Sequence, residues 1–239
     1  MKISIKRFLP NSYEKIEDFD IKLENITLLE ALEYIKTKID PTLTYNSGCR
    51  SEICGSCAVV VNAKEVLSCA YKVQDGDIIE PLRRVSVIKD LIVDTQKAKD
   101  TLLRVRSWLE VPSTKQMSIE DEKLIETQSD CILCSSCYSS CPVLEVNKEF
   151  LGPFALTRSY RYISDIRINE DDKNKKIEII QKNGIWDCTL CGECSLVCPQ
   201  NIDPKNDILM LQSKSIQQGY SNPAFSNDNF NDFGFNPDF

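Results

Sequence analysis

The twelve cysteines of this 239-residue chain fall into three groups of four, and no cysteine lies outside a group. In the first group the spacing is C-x4-C-x2-C, and a fourth cysteine follows after eleven residues. The second and third groups share the pattern C-x2-C-x2-C-x3-C-P, which makes them an internal repeat. The groups are Cys49, Cys54, Cys57 and Cys69; Cys131, Cys134, Cys137 and Cys141; and Cys188, Cys191, Cys194 and Cys198. Both spacings are typical of iron–sulfur cluster sites, so the fold has to bring four thiols together three times.

The first group has the plant-type spacing of a [2Fe–2S] cluster. Four thiolates have to hold two irons, and we expect a tight loop to supply three of them and a nearby strand to supply Cys69. Gly48 and Gly55 fit such a loop because glycine allows unusual backbone angles and close approach to a cluster. A structural zinc site is the alternative, but it usually shows two separated C-x2-C pairs. The spacing therefore favours the cluster.

In the pattern that the second and third groups share, the fourth cysteine ligates the other cluster. The first three cysteines can surround one cube, whereas the fourth lies beyond a bend and points away. We therefore predict two sites with exchanged ligands. The first [4Fe–4S] cluster is assigned Cys131, Cys134, Cys137 and Cys198, and the other site is assigned Cys141, Cys188, Cys191 and Cys194. Two independent zinc sites, or clusters with a purely structural role, are the alternatives.

The rest of the sequence holds little that could carry out chemistry on a substrate. The chain has no histidine, which excludes a histidine-ligated haem, a Rieske centre and a histidine general base. It has no Gly-x-Gly-x-x-Gly or P-loop pattern, so no nucleotide site is indicated. The net charge of −7 argues against nucleic acid as a ligand. Three clusters without a catalytic site indicate electron transfer between a donor and an acceptor in other chains.

Composition and the N-terminal residues favour a reducing compartment. Cysteine makes up about 5% of the residues, below the roughly 8–10% typical of disulfide scaffolds. Residues 1–8 alternate polar and apolar side chains and lack the apolar segment of a secretory signal. No stretch approaches the roughly 18 apolar residues that a membrane span needs. We therefore expect any membrane association to come through partners.

The pattern along the chain predicts an α+β fold with two domains and a tail. In residues 1–105, strand patterns surround a helix that begins with a capping box at Thr27 and Glu30 and runs to Ile39. The predicted strands lie at residues 3–8, 21–23, 58–61, 66–69 and 78–79, and a connecting helix is predicted over 87–115. Residues 106–219 form a helical domain that carries the two repeated cysteine runs. Residues 220–239 contain five phenylalanines and form a tail that is either disordered or docks on a partner.

Together these motifs strongly resemble the iron–sulfur subunit of the succinate dehydrogenase/fumarate reductase family. The resemblance covers residue 1 to about residue 215. The matching segments are CRSEICGSC at 49–57, CILCSSCYSSCP at 131–142, FLGP at 150–153, RYI at 161–163 with Asp165, and residues 188–199. The family implies a β-grasp plant-type ferredoxin domain followed by an all-α bacterial-type ferredoxin domain.

The resemblance implies that the chain transfers electrons in succinate:quinone oxidoreductase or quinol:fumarate reductase. A flavoprotein subunit would interconvert succinate and fumarate on FAD and exchange electrons with the [2Fe–2S] cluster. The middle [4Fe–4S] cluster would pass the electrons to the third, which would face a membrane subunit and quinone. FAD and the substrate chemistry would then belong to a partner.

One departure from the common family form concerns the third cluster. That form has only three cysteines there and holds [3Fe–4S], with an apolar residue in place of Cys191. Because Cys191 supplies a fourth thiol, we expect a second [4Fe–4S] cluster, with a shifted potential. A [3Fe–4S] cluster beside a spare Cys191 is the alternative.

A second departure concerns the quinone pocket. The common form has a tryptophan a few residues after Cys141 and a histidine just after the first cysteine of the third group, whereas this chain has Glu145 and Thr189. The chain therefore resembles non-classical members with the extra cysteine. In those members the membrane partner is similar to the cysteine-rich subunits of heterodisulfide reductase rather than to a haem-bearing anchor.

Other functions fit the same cysteine pattern. One is an electron-transfer subunit of a thiol-linked or other non-quinone fumarate reductase. Another is a free multi-cluster ferredoxin, against which three clusters in two domains argue, and a third is a zinc-binding interaction module. We expect the chain to lie peripherally on the cytoplasmic face of the membrane through its partners, with a periplasmic location by co-export as the alternative. The direction of the reaction depends on the quinone potential and the partner.

Overall fold

A mixed sheet forms the N-terminal part of the structure, a computed structural model that describes residues 1–9 and 13–225. Its strands are β1 (Lys2–Leu9), β2 (Tyr13–Asp20), β3 (Ala58–Val61), β4 (Lys64–Leu67) and β5 (Ile78–Glu80). Their order across the sheet is β2-β1-β5-β3-β4. The pair β1 and β5 is parallel, and the other pairs are antiparallel.

One helix, α1 (Leu28–Lys38), covers a face of this sheet. Its capping box is the one predicted from the sequence: the Thr27 N–H donates to the Glu30 carboxylate at 2.7 Å, and the Glu30 N–H donates to Thr27 Oγ1 at 3.3 Å. Burial of an apolar helix face against alternate strand residues stabilises the pair. The apolar residues of this core include Ile3, Ile5, Leu28, Leu32, Ile35, Val59, Val61 and Ile79.

The same sheet buries an ion pair. Arg7, on β1, is only 1% exposed, and its Nε donates to Oδ1 of the fully buried Asp90 at 2.8 Å. Its Nη1 donates to Glu17 and to Asp40 at 2.6 Å. The Thr44 hydroxyl donates to Asp90 at 2.6 Å. Because Arg7 and Asp90 are both removed from water, each compensates the buried charge of the other.

Two predicted elements are placed differently in the structure. The strand predicted at 21–23 is wrong, because β2 ends at Asp20, where its ladder with β1 ends. The helix predicted over 87–115 is confined to α2 (Gln96–Arg104), and a hairpin of β6 (Ser86–Lys89) and β7 (Ile92–Asp94) precedes it. The turn of this hairpin contains Asp90, whose partner Arg7 is far away in the sequence. A local pattern could not reveal that contact.

The chain from residue 119 onward forms helices, as far as the structure describes it. They are α3 (Ile119–Lys123), α4 (Glu126–Ser129), α5 (Ser136–Ser140), α6 (Val143–Val146), α7 (Pro153–Ile163), α8 (Glu170–Ile179), α9 (Glu193–Leu196) and α10 (Pro204–Gln217), followed by a short 3₁₀ turn at Pro223–Phe225. Helices α7 and α10 pack together over Phe154, Ile208 and Leu211. This core supports the loops that carry the second and third cysteine groups.

The α+β prediction is confirmed as a mixed-sheet domain followed by a helical region. The division at residues 105 and 106 stays a prediction. Most of the predicted tail, residues 226–239, lies outside the described residues. Within residues 1–9 and 13–225, no helix is both long enough and apolar enough to cross a bilayer.

Candidate iron–sulfur sites

The first cysteine loop wraps its backbone around a sulfur atom. The N–H groups of Ser51, Ile53 and Cys54 each donate to Cys49 Sγ at 3.3 Å, and the Cys49 N–H donates to Cys54 Sγ at the same distance. Such a turn needs left-handed backbone, and Gly55 in the same loop has a φ of 68°. N–H groups directed at ligand sulfurs are the kind of contact that tunes a metal site.

A hairpin brings the other two thiols of the first group to this loop. Cys57 directly precedes β3 and Cys69 closely follows β4, and these strands pair along their whole length. The Ser68 N–H and hydroxyl donate to Cys57 O at 3.0 and 2.9 Å, which fixes the open end of the hairpin. The thiols of Cys57 and Cys69 are close enough to hydrogen-bond, and the charge of a Cys54 thiolate also acts on the Cys57 thiol. The structure thus brings all four cysteines of the first group together.

Two environments divide this first set of thiols. The Ser56 hydroxyl, 3.1 Å from Cys54 Sγ, together with nearby N–H groups, lowers the pKa of the exposed Cys54 thiol to about 6. Burial instead raises the pKa of the Cys57 thiol to about 11. The thiolate is the form that binds a metal. The lowered pKa therefore favours the thiolate of Cys54, whereas Cys57 keeps its proton until a metal binds.

Two cavities in the helical region are each lined by four thiols. The first is lined by Cys131, Cys134, Cys137 and Cys198, and the second by Cys141, Cys188, Cys191 and Cys194. Both sets mix cysteines from the two runs, which is the exchange that the sequence spacing predicts. All twelve cysteines lie within the described part of the chain, and none of them forms a disulfide. Among the residues described, no three His, Cys, Asp or Glu side chains converge as closely as one metal ion requires.

The sequence repeat is also a backbone repeat. Leu133 and Ser135, on either side of Cys134, have φ angles of 54° and 66°. Leu190 and Gly192 stand in the same positions around Cys191, with φ angles of 54° and 88°. The Leu190 N–H donates to Cys188 Sγ at 3.4 Å, and the Leu133 N–H bonds to Cys131 in the same way. The loop around Cys191 therefore has the same ligand-presenting shape as the loop around Cys134.

Burial raises the pKa of six thiols in these two cavities. It is the largest cause of the raised pKa of Cys131, Cys134, Cys137, Cys141 and Cys188, and it raises the pKa of Cys194 to about 12. Buried thiols of this kind lose their protons when a metal binds. Four thiol donors around a cavity are the ligand set of a cubane cluster, so the residues present fit the clusters predicted for them.

The three sites lie in series. The loop around Gly55 contacts the segment from Ile132 to Cys134, and Gln200 Nε2 donates to Glu52 O at 3.1 Å. Helix α5, which carries Cys137, packs against α9, which carries Cys194, although these two thiols belong to different cavities. The first site therefore neighbours the second, and the second neighbours the third.

Several residues beside the thiols were not assigned in the sequence. Ser56 and Ser136 each follow a cysteine by two positions and place a hydroxyl 3.1 and 3.4 Å from its sulfur. This Cys-x-Ser spacing is a signal that sequence reasoning could have used. Arg158 donates to Cys131 O at 2.9 Å, and Arg84 donates to the carbonyl oxygen of Ser139, two residues before Cys141. These two arginines lie far from the cysteines in sequence, so no local pattern indicates them.

Two family models match the chain. Residues 2–100 match the 2Fe-2S iron-sulfur cluster binding domain, and residues 127–202 match the 4Fe-4S dicluster domain. Among solved structures, the Mycobacterium smegmatis Sdh1 complex in the apo form contains a chain with a TM-score of 0.82 and 20% identity. The match covers 92% of this chain and 97% of that one, and at this identity it shows the fold alone.

Curated relatives give the family. The fumarate reductase iron-sulfur subunit of Haemophilus influenzae is 36% identical over 87% of this chain and 90% of its own length. The same subunit of Escherichia coli O157:H7 is 32% identical, over 92% and 91%. One fumarate reductase (CoM/CoB) subunit, from Methanothermobacter marburgensis, is 33% identical over 92% of this chain, which spans only 45% of that relative. The chain therefore belongs to the iron–sulfur subunits of fumarate reductase and succinate dehydrogenase, the electron-transfer subunits of that oxidoreductase family.

Proposed function

We propose that this chain relays electrons through three clusters between an FAD-containing catalytic subunit and a membrane subunit that reacts with quinone. When bound, the clusters supply one-electron transfer. The chain supplies their ligands and fixes the order in which the three clusters are arranged. The observation that carries the proposal is the series of contacts between the segments that carry the three four-thiol sites: Gly55 lies against Cys134, and α5 packs against α9. Such a series joins a donor at one end to an acceptor at the other.

The ligand assignment follows the three sets of thiols. The [2Fe–2S] cluster is held by Cys49, Cys54, Cys57 and Cys69, the first [4Fe–4S] cluster by Cys131, Cys134, Cys137 and Cys198, and the third cluster by Cys141, Cys188, Cys191 and Cys194. Mutual contacts of the thiols in the first set, and the two four-thiol cavities, support this assignment.

The third cluster is [4Fe–4S], with Cys191 as its fourth ligand. Two observations support this type over [3Fe–4S]. Cys191 lines the same cavity as the other three thiols, and its loop repeats the backbone shape around Cys134. A spare cysteine would not need that shape.

The N-terminal domain is a β-grasp fold, and the domains divide near residue 105. The parallel pair of β1 and β5 inside a mixed sheet, with α1 between β2 and β3 in sequence, supports this fold. The proposed tail begins at residue 220, after α10.

The two partners dock at opposite ends of the series. The exposed loop with Cys49, Cys54 and Ile53 offers the first site to the flavoprotein. Val146, which is 86% exposed and follows the third group's ligand Cys141 by five residues, offers an apolar side chain to a membrane partner. Through these partners the chain is peripheral to the membrane, on its cytoplasmic face.

A thiol-linked reaction is the second candidate. The 33% identity to the fumarate reductase (CoM/CoB) relative favours it, as does Cys191. A cysteine-rich membrane partner similar to those of heterodisulfide reductase would suit either acceptor. Adding quinol or a dithiol to the purified complex and observing which one reduces the clusters distinguishes the two reactions.

The proposal is tested on the complex that the tagged chain brings down from native membranes under anaerobic conditions. Succinate should reduce the clusters, as seen by electron paramagnetic resonance, and fumarate should reoxidise them. The chain expressed without partners should respond to neither compound, although dithionite reduces it. A chain that purifies from membranes alone, or a complex that neither compound affects, would contradict the proposed function.

A further inference from the structure

Two arginines of the sheet domain, Arg83 and Arg84, bind α5, the helix that lies between the two cubane sites. Ser139, on α5, is buried, and its hydroxyl accepts from the Arg83 N–H at 2.8 Å and donates to Glu65 Oε1 at 2.7 Å. Arg83 Nη2 donates to the same Glu65 oxygen at 2.8 Å. Cys137 lies on α5 and Cys141 directly follows it, so the hydrogen bonds at Ser139 hold a segment that carries a ligand of each cavity.

Arg84 contacts the same helix and the residues after it, on the side of the third site. Its Nη1 donates to the Ser139 carbonyl oxygen, and its Nε lies 3.5 Å from Glu145 Oε2. The Arg84 side chain is 18% exposed, whereas that of Glu145 is 66% exposed. Arg84 Nε is buried and has no hydrogen-bond partner among the described residues. The guanidinium therefore lies at the end of α5 with little solvent around it and with one donor unused.

The charge of Arg84 reaches the third site. Arg84 contacts Ser139 and Glu145, which lie two residues before and four residues after Cys141, so the guanidinium lies beside the segment that carries this ligand. Water screens the exposed Glu145 more than it screens the mostly buried Arg84. The net effect of this pair at Cys141 is therefore positive. Lys205 is a second cation that lines the same cavity.

We propose that Arg84 is a positioning residue that raises the reduction potential of the third cluster. The inference rests on the proposed function, in which Cys141 ligates that cluster. Reduction adds a negative charge, and a nearby buried cation stabilises the reduced form. Through Ser139, Arg84 also fixes the segment that presents Cys141. The electron is thereby favoured at the third cluster.

The test is a potentiometric titration of the purified complex, followed by electron paramagnetic resonance. Arg84→Gln should shift the third cluster to lower potential and leave the [2Fe–2S] potential unchanged. Arg84→Lys should restore most of the shift because it keeps the charge. Glu145→Gln removes the opposing charge at an exposed position and should shift the third cluster upward. The matched control is Arg83→Gln, because the Arg83 side chain donates to Glu65 and to Ala63 O rather than to the segment around Cys141.

The opposite signs separate charge from loss of structure. If Arg84→Gln and Glu145→Gln shift the potential in the same direction, or if neither shifts it, the inference is wrong. Iron counting on each variant shows whether the cluster is still present, and Glu145→Gln decides the matter if Arg84→Gln loses it. A wild-type complex with only two clusters would overturn the proposed function itself.

Discussion

Gly55 lies directly against Cys134. A Cβ on Gly55 would stand 2.8 Å from Cys134 Cβ, 2.9 Å from its Cα and 3.0 Å from the Ile132 carbonyl oxygen. The loop of the first site therefore rests on the backbone that carries a ligand of the second site. No side chain can be placed between the two loops without moving one of them.

Gly55→Ala should push these loops apart. The residue has a φ of 68°, so alanine brings backbone strain as well as the clash with Cys134. We expect a loss of stability of about 1 kcal/mol from the backbone and about 1–3 kcal/mol more from the clash. Electron transfer from the [2Fe–2S] cluster to the first [4Fe–4S] cluster should slow, which rapid-freeze electron paramagnetic resonance after mixing with succinate measures.

Gly76→Ala is the matched control for that variant. Gly76 has a φ of 84°, and a Cβ there would meet nothing within 4 Å. It should show the backbone cost alone and transfer electrons at the wild-type rate. If Gly76→Ala slows transfer as much as Gly55→Ala, the contact with Cys134 does not matter.

The exchange of ligands predicts which cluster each variant loses. Cys198→Ala should remove or alter the cluster held with Cys131, Cys134 and Cys137 and leave the third cluster intact, because Cys198 lines the first cavity. Cys141→Ala should do the reverse. Electron paramagnetic resonance and iron counts on both variants check this. The opposite pattern would show that each cysteine run holds its own cluster.

Asp207 makes stability depend on pH. This buried carboxyl accepts from Gln128 Nε2 and Thr157 Oγ1, each at 2.8 Å, and burial raises its pKa to about 6. The folded state therefore keeps the proton above the unfolded pKa near 4, so the stability it contributes is lost as pH rises from about 4 to about 6.

Asp207→Asn should remove that loss. The amide can accept from Gln128 and donate to Thr157, so the packing is kept. Relative to wild type, the variant should gain on the order of 2–3 kcal/mol between pH 4 and pH 7. Urea unfolding at a series of pH values measures it, and a constant difference between the two proteins would contradict the prediction.

Removing one partner of the buried pair of Arg7 and Asp90 should destabilise the sheet domain. Asp90→Asn leaves Arg7 partly uncompensated and should cost about 3 kcal/mol. The pKa of Asp90 is lowered in the fold, where the hydrogen bonds from Arg7 and Thr44 outweigh burial, so its contribution is present above about pH 4 and lost below it. Asp18→Asn, which breaks an exposed pair with Lys2, should unfold at nearly the wild-type urea concentration. Equal losses in the two variants would contradict the role given to burial.

Local signals predicted the parts of the structure that local chemistry determines. The capping box at Thr27 and Glu30 starts α1, and the cysteine spacing anticipates the two mixed sets of thiols. The capping box depends on residues only three positions apart. The mixed sets of thiols depend on a repeated motif, in which each copy supplies the fourth cysteine of the other. Such signals carry their geometry within the motif.

Contacts between distant segments were not visible in the sequence. The residues 13–20 of β2 are mostly charged, and the strand is held at the sheet edge by its ladder with β1, so side-chain pattern did not reveal it. The β6–β7 turn depends on the contact between Asp90 and Arg7. The hydrogen bond from Arg83 to Ser139 joins the sheet domain to the helical region. These features arise only when the sheet and the helical region pack together.

The number of irons and the signal of the oxidised sample test the assignment of three clusters most directly. Chain purified anaerobically with its clusters should hold about ten irons and show no strong signal when oxidised, and Cys191→Ser should lower the count to about nine and introduce a [3Fe–4S] signal. A wild-type chain with about nine irons and a strong oxidised signal, both unchanged by Cys191→Ser, would show that Cys191 is not a ligand. A chain with zinc and no acid-labile sulfide would contradict the clusters altogether.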